Sequence, residues 1–85
     1  MTRETLREWL KRQPFQPFRV YLTDGRTFDV TYPRMNLLAY TYIKIGIPEP
    51  GSTDPMICDH TEYVRLNEIE RIEALASITE ALKKD

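Results

Sequence analysis

Residues 18–30 alternate apolar and polar side chains on both sides of an Asp-Gly pair. This pattern predicts a β-hairpin. A three-residue loop over 23–25 places Val20 opposite Phe28 and keeps the large apolar side chains on one face, whereas a two-residue loop separates them. We therefore expect the three-residue loop, with Gly25 in the left-handed conformation.

Apolar residues at helical spacing occupy the N-terminus, and they predict a helix over residues 1–13. Thr2 is expected to cap this helix, and Pro14 to end it. The apolar strip consists of Leu6, Trp9 and Leu10, with Arg3, Arg7 and Lys11 along one edge. Residues 14–17 contain two prolines and are expected to form an extended linker into the hairpin.

Further strands follow the hairpin. Tyr32-Pro33 is expected to end the second strand, and residues 35–42 read as mixed but extended. The run Ile43–Ile47 alternates strictly and predicts a strand. Residues 48–55 hold three prolines and a glycine, which indicates a loop. Residues 56–58 and 61–66 then predict a fourth strand, interrupted near Asp59.

The C-terminal region admits two interpretations. Asn67 and Glu70 resemble a capping box that would start a helix. Alternatively, residues 71–75 form a short strand after a single helical turn. We favour the strand, because a second capping box over residues 77–80 predicts that a new helix begins there.

Together these elements predict one domain over residues 1–85, of the mainly β (α+β) class. The expected architecture is a small five-stranded antiparallel SH3-like or Sm-like barrel over residues 18–75, capped by the N-terminal helix. Residues 76–85 are expected to form a tail or a short C-terminal helix.

The first third of the chain resembles a group of small, uncharacterised bacterial proteins. These open with a helix and continue with QPFxPF, a hydrophobic strand, DGR and a second strand that ends at proline. The matching residues are Gln13–Phe18, Leu22, Asp24–Arg26, Val30 and Pro33, with the segment 69–75 near the end. The resemblance implies the same fold and no particular activity.

Two further segments resemble the motifs of Sm proteins. Residues 35–37 read Met-Asn-Leu, as in the first Sm motif, and residues 64–69 resemble the second. The resemblance implies a pocket for single-stranded RNA formed by Arg34, Asn36, Arg65 and Asn67. The chain departs from the motifs at Leu66, where Sm proteins have glycine, and at Tyr32, where they have an acidic residue.

The charge distribution weighs against a dedicated nucleic-acid binder. Net charge is −1, with +3 on residues 1–26 and −4 on residues 27–85. Cys58 is the single cysteine, which excludes an internal disulfide and favours a cytoplasmic location. We expect no membrane span, because no apolar run approaches the ~20 residues that one requires. We also expect no signal peptide, because Arg3, Glu4, Arg7 and Glu8 occupy the place of the apolar segment that one requires.

Catalytic chemistry is not indicated. Cys58 and His60 supply too few ligands for a closed zinc site, and we expect no cofactor, no metal and no enzymatic activity. Four tyrosines, Tyr21, Tyr40, Tyr42 and Tyr63, are candidates for a protein-recognition surface; packing on the flank of the barrel is the alternative.

The predicted function is therefore a protein-interaction or homo-oligomerising module. It would act through those tyrosines or through an open strand edge. The strand edges expected to pair with a partner are the run 43–47 and the fourth strand. Lys44 is expected to limit unspecific pairing at the first of these edges. Sm-like binding of single-stranded RNA is the alternative.

Overall fold

The computed structural model describes residues 1–54 and 56–75, which form one helix, six strands and two single 3-10 turns. In chain order these are α1 (Arg3–Lys11), β1 (Phe18–Leu22), β2 (Thr27–Val30), a 3-10 turn (Pro33–Met35), β3 (Asn36–Leu38), β4 (Tyr42–Ile47), β5 (His60–Arg65), a second 3-10 turn (Leu66–Glu68) and β6 (Ile69–Ala74). The fold is therefore mainly β with an N-terminal helix. The helix predicted near residues 76–85 lies outside the described residues.

The strands form two antiparallel three-stranded sheets, in the orders β2-β1-β6 and β3-β4-β5. This corrects the predicted five-stranded barrel, because the described residues form six strands and no closed barrel. Pro33 starts the 3-10 turn that carries the chain out of the first sheet and into the second. The strand that was not predicted is β3, which is connected to β4 by a tight turn at Tyr40-Thr41. This turn lacks the glycine that is typical of short hairpin loops, so the sequence around it does not indicate a hairpin.

The β1–β2 hairpin confirms the register predicted from the alternating pattern. Val20 pairs with Phe28 and Phe18 with Val30. The loop has three residues, since the Leu22 N–H donates to the Arg26 C=O at 2.9 Å. Gly25 has a φ of +94°, which a residue with a side chain rarely adopts.

Helix α1 closes one end of the core. The Thr2 hydroxyl accepts a hydrogen bond from the Thr5 N–H at 3.2 Å, which confirms the predicted N-cap. The helix ends at Lys11, two residues earlier than predicted. Leu6 is completely buried, and the Trp9 ring lies 5.2 Å from the Phe18 ring, so the helix is held to the first sheet by apolar contacts.

Both sheets contribute to one core. Its buried residues are Leu6, Phe18, Val20, Leu22, Val30, Ile43, Ile45, Val64, Leu66 and Ile69. The predicted run 43–47 is the central strand β4. The expectation that this run offers an open edge is therefore wrong. The predicted fourth strand is the edge strand β5, which begins at His60 and does not include residues 56–58.

The last strand confirms the favoured interpretation of the C-terminal region, although β6 begins at Ile69, two residues earlier than predicted, and ends at Ala74. A single 3-10 turn over Leu66–Glu68 precedes β6, which pairs with β1. Ile72 lies opposite Val20 on the core side. The alternative, a helix that starts at Asn67, is therefore wrong for residues 69–74.

The first 3-10 turn packs very closely on β4 at Gly46. A β-carbon at this position would lie 2.7 Å from the Met35 carbonyl oxygen and 2.8 Å from the Met35 β-carbon. Both distances are shorter than van der Waals contact, and one of the atoms belongs to the backbone. Only glycine allows this approach without moving the turn.

We expect Gly46→Ala to lower the free energy of unfolding by about 1–3 kcal/mol, because the Met35 turn must move to accommodate the methyl group. Urea denaturation followed by circular dichroism measures this change. Lys44→Ala, two residues earlier on the same face of β4, is the control and should change stability by less than about 0.5 kcal/mol. Equal stability of the Gly46→Ala variant and the wild type would contradict the close packing.

Candidate interaction surface

The outward face of the second sheet carries aromatic and cationic side chains without an acidic one. Ile43 and Ile45 point into the core, so the alternate residues of β4 point outward. The pairing adds Leu37 of β3 and Tyr63 of β5 beside Lys44. On this side of the sheet Gly46 is covered by Met35. The remaining outward residues are Leu37, Tyr42, Lys44, Thr61, Tyr63 and Arg65, which we call the outer face.

Two tyrosines of the outer face contact each other. The rings of Tyr42 and Tyr63 lie 5.6 Å apart at an interplanar angle of 49°. The Lys44 ammonium is 5.8 Å from the Tyr63 ring centre. Tyr63 is nevertheless 64% exposed, so most of this aromatic surface is in water. Exposed tyrosines beside cations are typical of recognition surfaces.

The outer face continues into an open depression of about 1060 Å³ at the end of the sheet. Tyr40, which is 82% exposed, stands at its rim. The lining includes Tyr40, Tyr42, Tyr63, Arg65 and Asn67, together with Arg3, Glu4, Arg26 and Glu68. The structure therefore brings three of the four candidate tyrosines together with two of the residues that the Sm resemblance implies.

Among the described residues, two of the three arginines that line this depression form ion pairs, and the third does not. The Arg3 guanidinium pairs with Glu4 at 3.3 Å and lies 4.5 Å from the Tyr40 ring centre. Arg26 pairs with Asp24 at 2.8 Å, and it also lies 3.7 Å from a carboxylate of Glu68. Within residues 1–54 and 56–75, Arg65 has no ion pair. Arg65 is thus a cation that a ligand could use.

The fourth candidate tyrosine lies elsewhere. Tyr21 is on the outward side of β1, in the other sheet. Its hydroxyl donates to a Glu73 carboxylate oxygen at 3.0 Å, and the Arg71 guanidinium lies 3.7 Å from its ring centre. Tyr21 therefore does not extend the outer face.

The four residues of the Sm resemblance do not converge. Asn36 pairs with Ile45 and so points to the core side of the sheet, where its Nδ2 donates to the Tyr32 C=O at 2.7 Å. Arg65 pairs with Tyr42 on the opposite side. The two positions are separated by about 10 Å along the strands and about 10 Å across them. Arg34 is exposed in the 3-10 turn, outside the depression.

The outward face of the first sheet is neutralised internally. Arg19 and Asp29 form a bidentate pair, with N–O distances of 2.6 and 3.1 Å. The hydrogen bonds that Arg19 donates to the Asp29 carboxylate raise the pKa of Arg19 above its ordinary value. Arg71 and Glu73 form a second ion pair on this face. The sequence could not separate these paired cations from the unpaired cations of the outer face, because the pairing depends on strand register.

Known proteins offer no guide to this surface. No family model, curated protein or solved structure matches the chain. The helix among the described residues is too short and too polar to cross a membrane. Over the same residues, no group of three or more His, Cys, Asp and Glu side chains is arranged to hold a metal ion.

His60, the first residue of β5, lies between two carboxylates at the end of the strand away from the depression. Its Nδ1 lies 2.8 Å from an Asp59 carboxylate oxygen, and its Nε2 lies 3.3 Å from Glu62. The hydrogen bond with Asp59, aided by the charges of Asp59 and Glu62, raises the pKa of His60. The charged imidazolium therefore stabilises the fold below the unfolded-state pKa of about 6.5.

We expect this contribution to disappear as the pH rises through the raised pKa of His60. Histidine is present once in the chain, so an NMR titration of its ring protons reports this group alone. Asp59→Asn should bring the His60 pKa down towards its ordinary value, whereas Asp24→Asn, in the β1–β2 loop, should leave it unchanged. An ordinary His60 pKa in the wild type would contradict the assigned contacts.

Proposed function

We propose that this protein is a non-enzymatic interaction module that pairs the outer edge of β5 with a strand of another polypeptide. A second copy of the chain is the first occupant to test. The observation that carries the proposal is Tyr63, a largely exposed aromatic residue on an edge strand, next to Tyr42 and Arg65.

The edge of β5 offers free backbone groups. The Leu66 N–H donates to the Thr41 C=O at 2.9 Å. Since hydrogen-bonded pairs alternate along an antiparallel ladder, Val64 and Glu62 are the next residues whose backbone groups bond to β4. The backbone groups of Thr61, Tyr63 and Arg65 therefore point away from β4. In the described part of the chain, no strand pairs with this side of β5. An edge of this kind can add a further strand.

The side chains next to this edge suit a protein partner. Tyr63 would lie beside an added strand, where an aromatic cross-strand pair contributes about 0.2–1 kcal/mol. Lys44 and Arg65 of the outer face would suit a partner strand that carries carboxylates. In an antiparallel pairing of two β5 strands centred on Tyr63, each Arg65 would lie opposite Thr61 of the other copy, so like charges are not placed directly opposite each other.

Among the other edge strands, β3 has three residues and β2 has four, so they offer shorter edges. Strand β6 has six residues, as β5 has, but its outward face carries the Arg71–Glu73 ion pair in place of an exposed tyrosine beside cations that have no ion pair among the described residues.

The proposal predicts that Thr61→Pro disrupts self-association while the fold is retained. Proline removes an N–H that points outward, and it is tolerated at such positions of edge strands. Light scattering after gel filtration, at several concentrations, measures the molar mass. We expect a multiple of 10.1 kDa for the wild type and about the monomer mass for Thr61→Pro.

Thr27→Pro is the matched control. Thr27 is an exposed threonine on the edge strand β2. Leu22 and Arg26 form a hydrogen-bonded pair between β1 and β2, and hydrogen-bonded residues alternate along an antiparallel ladder. The N–H of Thr27, the next residue, therefore points away from β1. The Thr27→Pro variant should keep the molar mass of the wild type. A wild type that is monomeric at every concentration would overturn self-association through β5.

Binding of single-stranded RNA is the second candidate function. It is favoured by the position of Arg65 and Asn67 beside three tyrosines in one depression, since stacking side chains with nearby cations are typical of single-strand binding. Against it, Asn36 points to the core side, and the chain has a net charge of −1.

We therefore expect no measurable binding of a labelled oligouridine at physiological salt. Fluorescence anisotropy tests this expectation. Micromolar binding that Arg65→Ala weakens by at least ~1 kcal/mol, and that Arg71→Ala in the other sheet leaves unchanged, would replace the protein-interaction proposal with the RNA alternative. Binding that both variants weaken equally would indicate only a general effect of charge.

A further inference from the structure

A second groove lies between α1 and the end of β3; it shares Arg3 and Tyr40 with the depression described above but does not include the edge of β5. It encloses about 590 Å³ and is lined by Arg3, Arg7, Leu10, Lys11, Leu38, Ala39 and Tyr40. The aliphatic side chains of Leu10 and Leu38 are partly buried and form its floor. The lining contains three cations and no carboxylate.

The cations form a regular row along the helix. Arg3, Arg7 and Lys11 are spaced by four residues, so successive charges lie about 6 Å apart along the axis. Among the described residues, Arg7 and Lys11 have no ion pair. Arg3 pairs with Glu4, but both of these side chains are well exposed to solvent, and such pairs are weak.

We propose that this groove binds an acidic amphipathic helix of a partner protein. Carboxylates at i and i+4 of such a helix repeat at about 6 Å and therefore match the row of cations. Its apolar side chains would cover Leu10 and Leu38, as in other helix-in-groove complexes. The proposal concerns a surface distinct from β5, and it does not depend on self-association.

The lining favours a polypeptide over a nucleic acid. Tyr40 is the one aromatic residue of the groove, and the Arg3 guanidinium already lies 4.5 Å from its ring centre. A single strand would need exposed aromatic faces for its bases. The aliphatic floor instead matches leucine-like side chains.

Fluorescence anisotropy with a labelled 14-residue peptide tests the proposal. The probe carries leucine at helical spacing and glutamate at the flanking positions. We expect saturable binding that weakens as salt rises. Two control peptides, one with lysine in place of glutamate and one with serine in place of leucine, should each bind at least ten times more weakly.

Arg7→Glu is the decisive variant, and it should weaken binding of the peptide at least tenfold. Arg34→Glu is its matched control, because it makes the same change of charge at an exposed arginine outside the groove. This control should change affinity less than twofold. Equal loss in both variants, or no binding to the wild type, would overturn the proposal.

Two further measurements separate this proposal from its alternatives. Thr61→Pro should bind the peptide as the wild type does, so failure of strand pairing at β5 leaves the groove testable. NMR shift changes should be largest at Leu10, Leu38 and Ala39. Binding of oligothymidine that Arg7→Glu abolishes, in the absence of peptide binding, would assign the groove to nucleic acid and overturn the polypeptide partner.

Discussion

The alternation of side chains on the two central strands is the constraint on which the rest of the structure depends. Strand β1 directs Phe18, Val20 and Leu22 inward, and β4 directs Ile43 and Ile45 towards the same core. Each central strand has an antiparallel neighbour on both sides. A slip of one residue in either would expose the apolar set and bury the polar one, so the core determines both outward faces.

Those outward faces differ in electrostatic character, because ion pairs neutralise the first while the second carries cations only. On the first sheet, cross-strand register brings Arg19 to Asp29, and Arg71 and Glu73 lie on the same surface. On the second sheet, the same geometry places Lys44 and Arg65 beside tyrosines, with no acidic neighbour on the face. The chain is nearly neutral as a whole, yet among the described residues the cations on the outward face of the second sheet, Lys44 and Arg65, have no ion pair. This difference between the two faces is the physical basis of the proposed interaction role.

The packing of helix α1 on the core determines where its own cations lie. The helix is held by burial of Leu6 and by contact of Trp9 with Phe18. Once those residues are in place, the spacing of the helix fixes Arg3, Arg7 and Lys11 along the groove beside β3. The groove is therefore a consequence of how the helix packs on the core.

Local patterns in the sequence determined the β1–β2 register, the Thr2 cap, the strand β4 and the final strand, because each depends on neighbouring residues. The sequence also supplied the tyrosines and Arg65, but not their arrangement. Only the tertiary structure decided that β4 is central, that Tyr21 lies apart from the other tyrosines and that Asn36 points to the core side. These outcomes depend on pairing between strands distant in the chain, and a short-range pattern carries no information about that pairing.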